Sequence, residues 1–115
     1  MHENSRRLLA AAAALGLPAA AAAHHGWGWT QAEESRLSGT IESISFGNPH
    51  MHLKVRNADG TWGVDLSPPI VAQGSGFGPG AAKAGDRVVI TGHRARDAGA
   101  LGFKGETITV NGKTY

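Results

Sequence analysis

The chain of 115 residues has no cysteine, one tyrosine, three phenylalanines and three tryptophans. It also lacks an apolar run long enough to serve as a stable membrane anchor. Each shortage excludes something. Without thiols there is no disulfide framework, thiolate metal cluster or cysteine nucleophile, so a domain this small relies on its apolar core or on a ligand. Charged residues make up 17% of the chain and the formal net charge is +2. So balanced a surface lacks the basic footprint that nucleic acid or an anionic membrane requires. No serine or cysteine catalytic motif stands out, which points away from an enzyme. Gly74-Ser75-Gly76-Phe77-Gly78 is glycine-rich, but no clear strand precedes it and no good helix follows, so it reads as a flexible loop.

What is present begins with a leader. Arg6 and Arg7 give a positive start, Leu8 to Leu17 an apolar alanine-rich stretch, and Pro18 to Ala23 a small-residue end, which together predict an export signal over residues 1–23. The expectation is a periplasmic or secreted domain with no membrane anchor in its mature form. Cleavage after Ala21-Ala22-Ala23 fits the small-x-small rule and would make His24 the amino terminus, with neighbouring alanines as alternatives. Ser5-Arg6-Arg7-Leu8-Leu9 partly resembles a twin-arginine signal but lacks the usual phenylalanine. Losing Glu3, Arg6 and Arg7 leaves nine basic and eight acidic residues, a net charge of +1, so the high isoelectric point owes part of its value to the leader.

Residues 24–36 read as an N-terminal His/Trp segment. Two glycines loosen the backbone between Trp27 and Trp29, which either lid an open end of the core or line a metal or ligand site. Thr30 to Arg36 reads as a linker or a single helical turn. From residue 37 to 115 the period of two predicts an all-β domain, with strands at 37–46, 50–56, 61–66, 86–94 and 107–110. Leu37, Gly39 and Ile41 share one parity and Ile44 and Phe46 the other, which requires a bulge near Glu42 or Ser43. Asn57-Ala58-Asp59-Gly60 and Asn111-Gly112 are hairpin signals. Pro68-Pro69 ends the third strand, and the Gly/Pro-rich stretch after it has room for one short helix, at 70–73 or 81–83. Phe103 is expected beneath the loop that precedes the fifth strand. Five short strands, the first bulged, with an insertion between the third and fourth, match the order of a small, mainly antiparallel OB-like (oligonucleotide/oligosaccharide-binding) barrel. An open sandwich is the alternative.

Three pieces together resemble a family of small secreted bacterial proteins known as domain of unknown function 6152. They are His24-His25-Gly26-Trp27, then Leu37-Ser38-Gly39-Thr40-Ile41 leading to Asn48-Pro49-His50, and Ala84 to Arg94. The resemblance implies an exported small β domain and carries no established activity. This chain departs from the commoner pattern at His52 and His93, so a role for those two need not extend to relatives.

The most chemically specific feature is His50-Met51-His52. In an extended chain the two imidazoles share a face while Met51, Leu53 and Val55 take the other. An amino-terminal His24 would add a chelate of its amine and ring. With His50 and His52, and His25 as a competing ligand, the set is nitrogen-rich and suits Cu(II), with Zn(II) second. The competing reading makes His24 and His25 a solvated terminus and His50 and His52 ordinary outward residues. His93, between Gly92 and Arg94, is an additional ligand candidate whose alternative is hydrogen bonding. The other functional class is a non-metal binding module in which the barrel face, with Trp27 and Trp29, holds a peptide, glycan or envelope component.

Overall fold

The computed structural model describes residues 28–47, 51–72 and 74–115. Six strands and one short helix follow in the order β1 (Ser35–Ser45), β2 (His52–Asn57), β3 (Gly60–Leu66), α1 (Pro68–Val71), β4 (Arg87–Arg94), β5 (Gly102–Val110) and β6 (Lys113–Thr114). β1, β2 and β3 form an antiparallel meander, β4 pairs with the other side of β1, and β5 pairs with β4. A parallel pairing of β3 with β5 closes the ring, so the structure is a five-stranded barrel with β6 appended to β5. Closure removes the open sandwich from consideration and leaves the barrel strands without bare edges.

β1 makes this closure possible by serving two partners. Its residues 35–40 pair with β4 and residues 40–45 with β2. The register slips between Ile41 and Ser43, so Glu42 is the bulged residue, as the parity change required. The alternation in β3 also holds: Trp62, Val64 and Leu66 are buried. They join Leu53, Val55, Val88, Ile90, Ile108 and Val110 in one core. Burying each such side chain contributes about 1.5–3 kcal/mol, the driving force this cysteine-free chain depends on.

Several expectations need correction. β5 begins five residues earlier than the predicted 107–110, because Gly102, Gly105 and Lys104 interrupt its apolar pattern. Phe103 therefore does not sit under a loop; it is fully buried within β5 and meets Trp62 edge-on at 6.4 Å. The helix forms two residues earlier than 70–73, at Pro68–Val71, because paired prolines suit a helix start, and no helix forms at 81–83. Residues 31–34 make no helical turn. The Gly74–Gly78 stretch is more than a flexible loop: Phe77 is buried between Phe46 and Tyr115, with ring centroids at 5.8 and 5.2 Å. Its anchor is local, since Ser75 Oγ donates to Ile70 O and accepts from Phe77 N. Asn111 and Gly112 both have positive φ, 52° and 79°, and they fold β6, which the sequence pattern does not predict, back onto β5.

Candidate functional site

The outer face of β2 and β3 is set by register. His52 stands opposite Asp65 and Lys54 opposite Gly63; across the closing seam, Asp65 faces Lys104 and Gly63 faces Gly102. Two rows result. One carries side chains throughout, and the other has Lys54 followed by two positions with none. The bare positions form the floor of an open groove of about 420 Å³, lined by Trp29, His52, Lys54, Gly63, Asp65 and Gly102 together with Leu53 and Val64.

Trp29 reaches the groove because the segment before β1 is tied to the end of β4. Thr30 bridges Ala95, Trp29 O accepts from Arg96 N at 2.8 Å, and Gln31 N donates to Arg94 O at 2.8 Å. Arg96 Nε adds a bond to Thr30 O at 2.9 Å. The indole consequently lies beside Gly102, within 3.5 Å of where a β-carbon there would be. Trp29 is therefore one of the residues that line the groove.

His52 is exposed, as the inward turn of Leu53 and Val55 demands, and its Nδ1 donates to Asp65 Oδ1 at 2.6 Å. A carboxylate bonded to one ring nitrogen orients the imidazole, the arrangement common in histidines that bind metal through the other nitrogen. His93 differs. Its Nδ1 lies 2.9 Å from Glu33 O and its Nε2 lies 3.1 Å from Glu106 Oε1, so both ring nitrogens are within hydrogen-bond distance of an oxygen. That is the hydrogen-bonding arrangement weighed against a ligand role. Burial pushes the Glu106 carboxyl up, but Lys104 and then His93, through hydrogen bonds and charge, hold it below the ordinary range.

His24, His25, Trp27 and His50 lie outside the described residues. Among the described residues, no group of three or more His, Asp or Glu side chains converges as a metal would need. None of their helices is long and apolar enough to cross a membrane. A second concavity, about 470 Å³, runs from Gly85 to Val89 and from Thr109 to Gly112. Its carboxylate is structural: Asp86 accepts from Asn111 Nδ2 and from the backbone and Nζ of Lys83, which hold its pKa below the usual carboxylate value. Sequence reasoning missed Asp65, Lys54, Gly63 and Gly102 as groove residues. The alternation Trp62-Gly63-Val64-Asp65-Leu66 marks Gly63 and Asp65 as outward, but only cross-strand register tells which residues they meet.

The fold and the groove define a small closed β-barrel whose β2–β3 face offers a concave surface. A family model, described as a family of unknown function (DUF6152), matches residues 12–104, and the chain belongs to that family. No curated protein matches the chain.

Proposed function

We propose that this is an exported metal-binding domain, with one Cu(II) held by Nε2 of His52, by His50 and by the amine and ring of His24, and with His25 competing. The observation that carries this reading is the His52–Asp65 pair at 2.6 Å on the wall of a groove that Trp29 also lines. A histidine that binds metal through one ring nitrogen usually donates the other to a carboxylate, which orients the ring and raises its basicity. Trp29 supplies the second support. His24 precedes it by five residues, and five residues span up to roughly 17 Å when extended, so an amino terminus at His24 is tethered within reach of His52. Nitrogen-only donors favour copper over calcium or magnesium, and Zn(II) is the next choice.

The test is copper titration with electron paramagnetic resonance on protein carrying the native terminus, compared with protein carrying extra residues before His24 and with His50→Ala/His52→Ala. Native protein is expected to bind one equivalent with a tetragonal, nitrogen-rich spectrum, and both altered proteins to bind more weakly. Equal stoichiometry, affinity and spectra in all three would reject the site. Intact mass of the exported protein tests the terminus, and a start at Trp27 or later would remove the chelating amine. A second reading, a non-metal binding module for a peptide, glycan or envelope component, is favoured by one specific observation: the groove on β2 and β3 has an aromatic wall and a floor without side chains.

A further inference from the structure

Glycine inside a strand is a stability cost of about 0.5–1 kcal/mol, and where it is present a close approach commonly explains it. Three strand glycines here have that explanation within the fold. A β-carbon at Gly39 would lie 2.5 Å from Arg56 O, one at Gly92 only 1.8 Å from Lys104 O, and one at Gly105 would lie 2.8 Å from Ile90 and 2.9 Å from Leu66. Gly63 has none. It sits mid-strand in β3 without a positive φ, and a β-carbon there would meet nothing within 4 Å. Its register partner Gly102 would meet only ordinary contacts, at 3.4 Å to Ala95 and 3.5 Å to Trp29. The protein's own packing therefore leaves room for a β-carbon at either position, freely at Gly63 and in contact with Ala95 and Trp29 at Gly102.

We propose that Gly63 and Gly102 form the seat for a pyranose ring of a glycan, with the ring's apolar face against Trp29 and its hydroxyls on Asp65, His52 and Lys54. The inference gives a ligand class to the second reading above and is independent of copper. Trp29 is one of two exposed large hydrophobic residues among those described, and it stands at the edge of this floor. The rim decides between ligand classes. Asp65 offers a carboxylate acceptor, Lys54 an ammonium donor and His52 a ring nitrogen, all beside the same floor. Adjacent hydroxyls of a sugar both donate and accept, so they satisfy such a mixed rim. A phosphate or polyanion would face the Asp65 carboxylate, and a purely apolar ligand would make no use of the polar rim. At about 420 Å³ the groove also falls within the roughly 300–1,000 Å³ of small-molecule sites.

The experiment is an amide-resolved nuclear magnetic resonance titration of the domain in EDTA, using maltohexaose, cellohexaose and chitohexaose as separate probes and a proline-rich peptide as the comparison. At least one sugar is expected to shift the Gly63 and Gly102 amides saturably. Gly63→Val, which fills the floor, is expected to weaken that binding at least tenfold while leaving the melting temperature unchanged or higher, and Trp29→Ala to weaken it similarly. Three results overturn the proposal: no sugar shifts these amides, binding survives Gly63→Val, or only the peptide binds. The last would keep the groove as a binding module while rejecting the sugar. Because EDTA removes metal throughout, failure here says nothing about the copper site, and failure of the copper titration says nothing about this one.

Discussion

The β4–β5 seam and the β2–β3 face are built from similar residue types and put to opposite uses. Along the seam, polar side chains are tied to one another, Thr91 to Thr107 at 2.5 Å, Lys104 to Glu106 at 3.4 Å and His93 to Glu106 at 3.1 Å, and His93 also reaches the backbone carbonyl of Glu33. Gly92 is there because backbone leaves room for nothing larger. On the β2–β3 face the histidine has an exposed carboxylate partner, and the glycine opens onto empty space. The difference teaches that residue type alone does not tell structure from site; what the neighbouring strand brings to within 4 Å does.

The sharpest way to break this contrast is at the two glycines. Gly92→Ala drives a β-carbon into Lys104 O, a backbone atom that cannot swing aside, so the strands must separate locally. The expected loss is about 3 kcal/mol, the upper end of the overpacking range, or roughly 12 °C or more in melting temperature. Thermal unfolding followed by circular dichroism measures it. A variant that melts within a few degrees of the parent would show that the seam tolerates what its geometry forbids.

The two histidines give the next contrast. His93→Ala removes two hydrogen bonds, one to a charged group, and detaches Glu33 from the barrel; the expected cost is about 1–2 kcal/mol in urea unfolding. His52→Ala breaks an exposed pair, and surface ion pairs are worth about 0–1 kcal/mol, so the expected loss is the smaller of the two, under about 1 kcal/mol. Equal losses at both positions would erase the distinction.

Acid should act through two carboxylates, Glu106 on the seam and Asp86 just before β4. Glu106 and Asp86 both have folded-state pKa values below their ordinary 4.5 and 3.8. A carboxyl depressed by folding stabilises the native state fully above its unfolded value, and the contribution is lost as pH falls through the lower folded value. The urea midpoint is therefore expected to hold down to about pH 4.5 and decline below it. Asp86→Asn, which gives up the bonds from Lys83, should lower the midpoint at neutral pH and flatten the acid decline. A variant whose decline parallels the parent's would mean that Asp86 does not drive it.

The barrel was legible because its devices are local. The parity change placed the bulge within one residue of Glu42, and Asn-Gly and Asp-Gly marked the hairpins. β5 was only half legible, since a strand with Gly102 and Gly105 loses the alternation that announces strands. The groove was not legible at all. His52 and Trp29 could be named as candidates from their chemistry. Their meeting with Asp65, Gly63 and Gly102, however, depends on pairings between residues tens of positions apart, and no period in the sequence encodes those.

The smallest expected effect on stability discriminates best between the uses of the face. Asp65→Asn keeps the size and shape of the side chain and keeps an oxygen able to accept from His52 Nδ1, while removing the charge. Both side chains are about half exposed, 56% and 43%, so the change in unfolding free energy should stay within about 0.5 kcal/mol. Copper affinity should respond far more. If His52 ligates through Nε2, the carboxylate orients the ring, and loss of such an outer partner typically lowers metal affinity about 10–100-fold. An arrangement in which the pair is merely a surface contact predicts no change in either quantity. Calorimetric copper titration of this variant alongside its urea unfolding separates the two outcomes, because misfolding would move both measurements and a ligand role only the first.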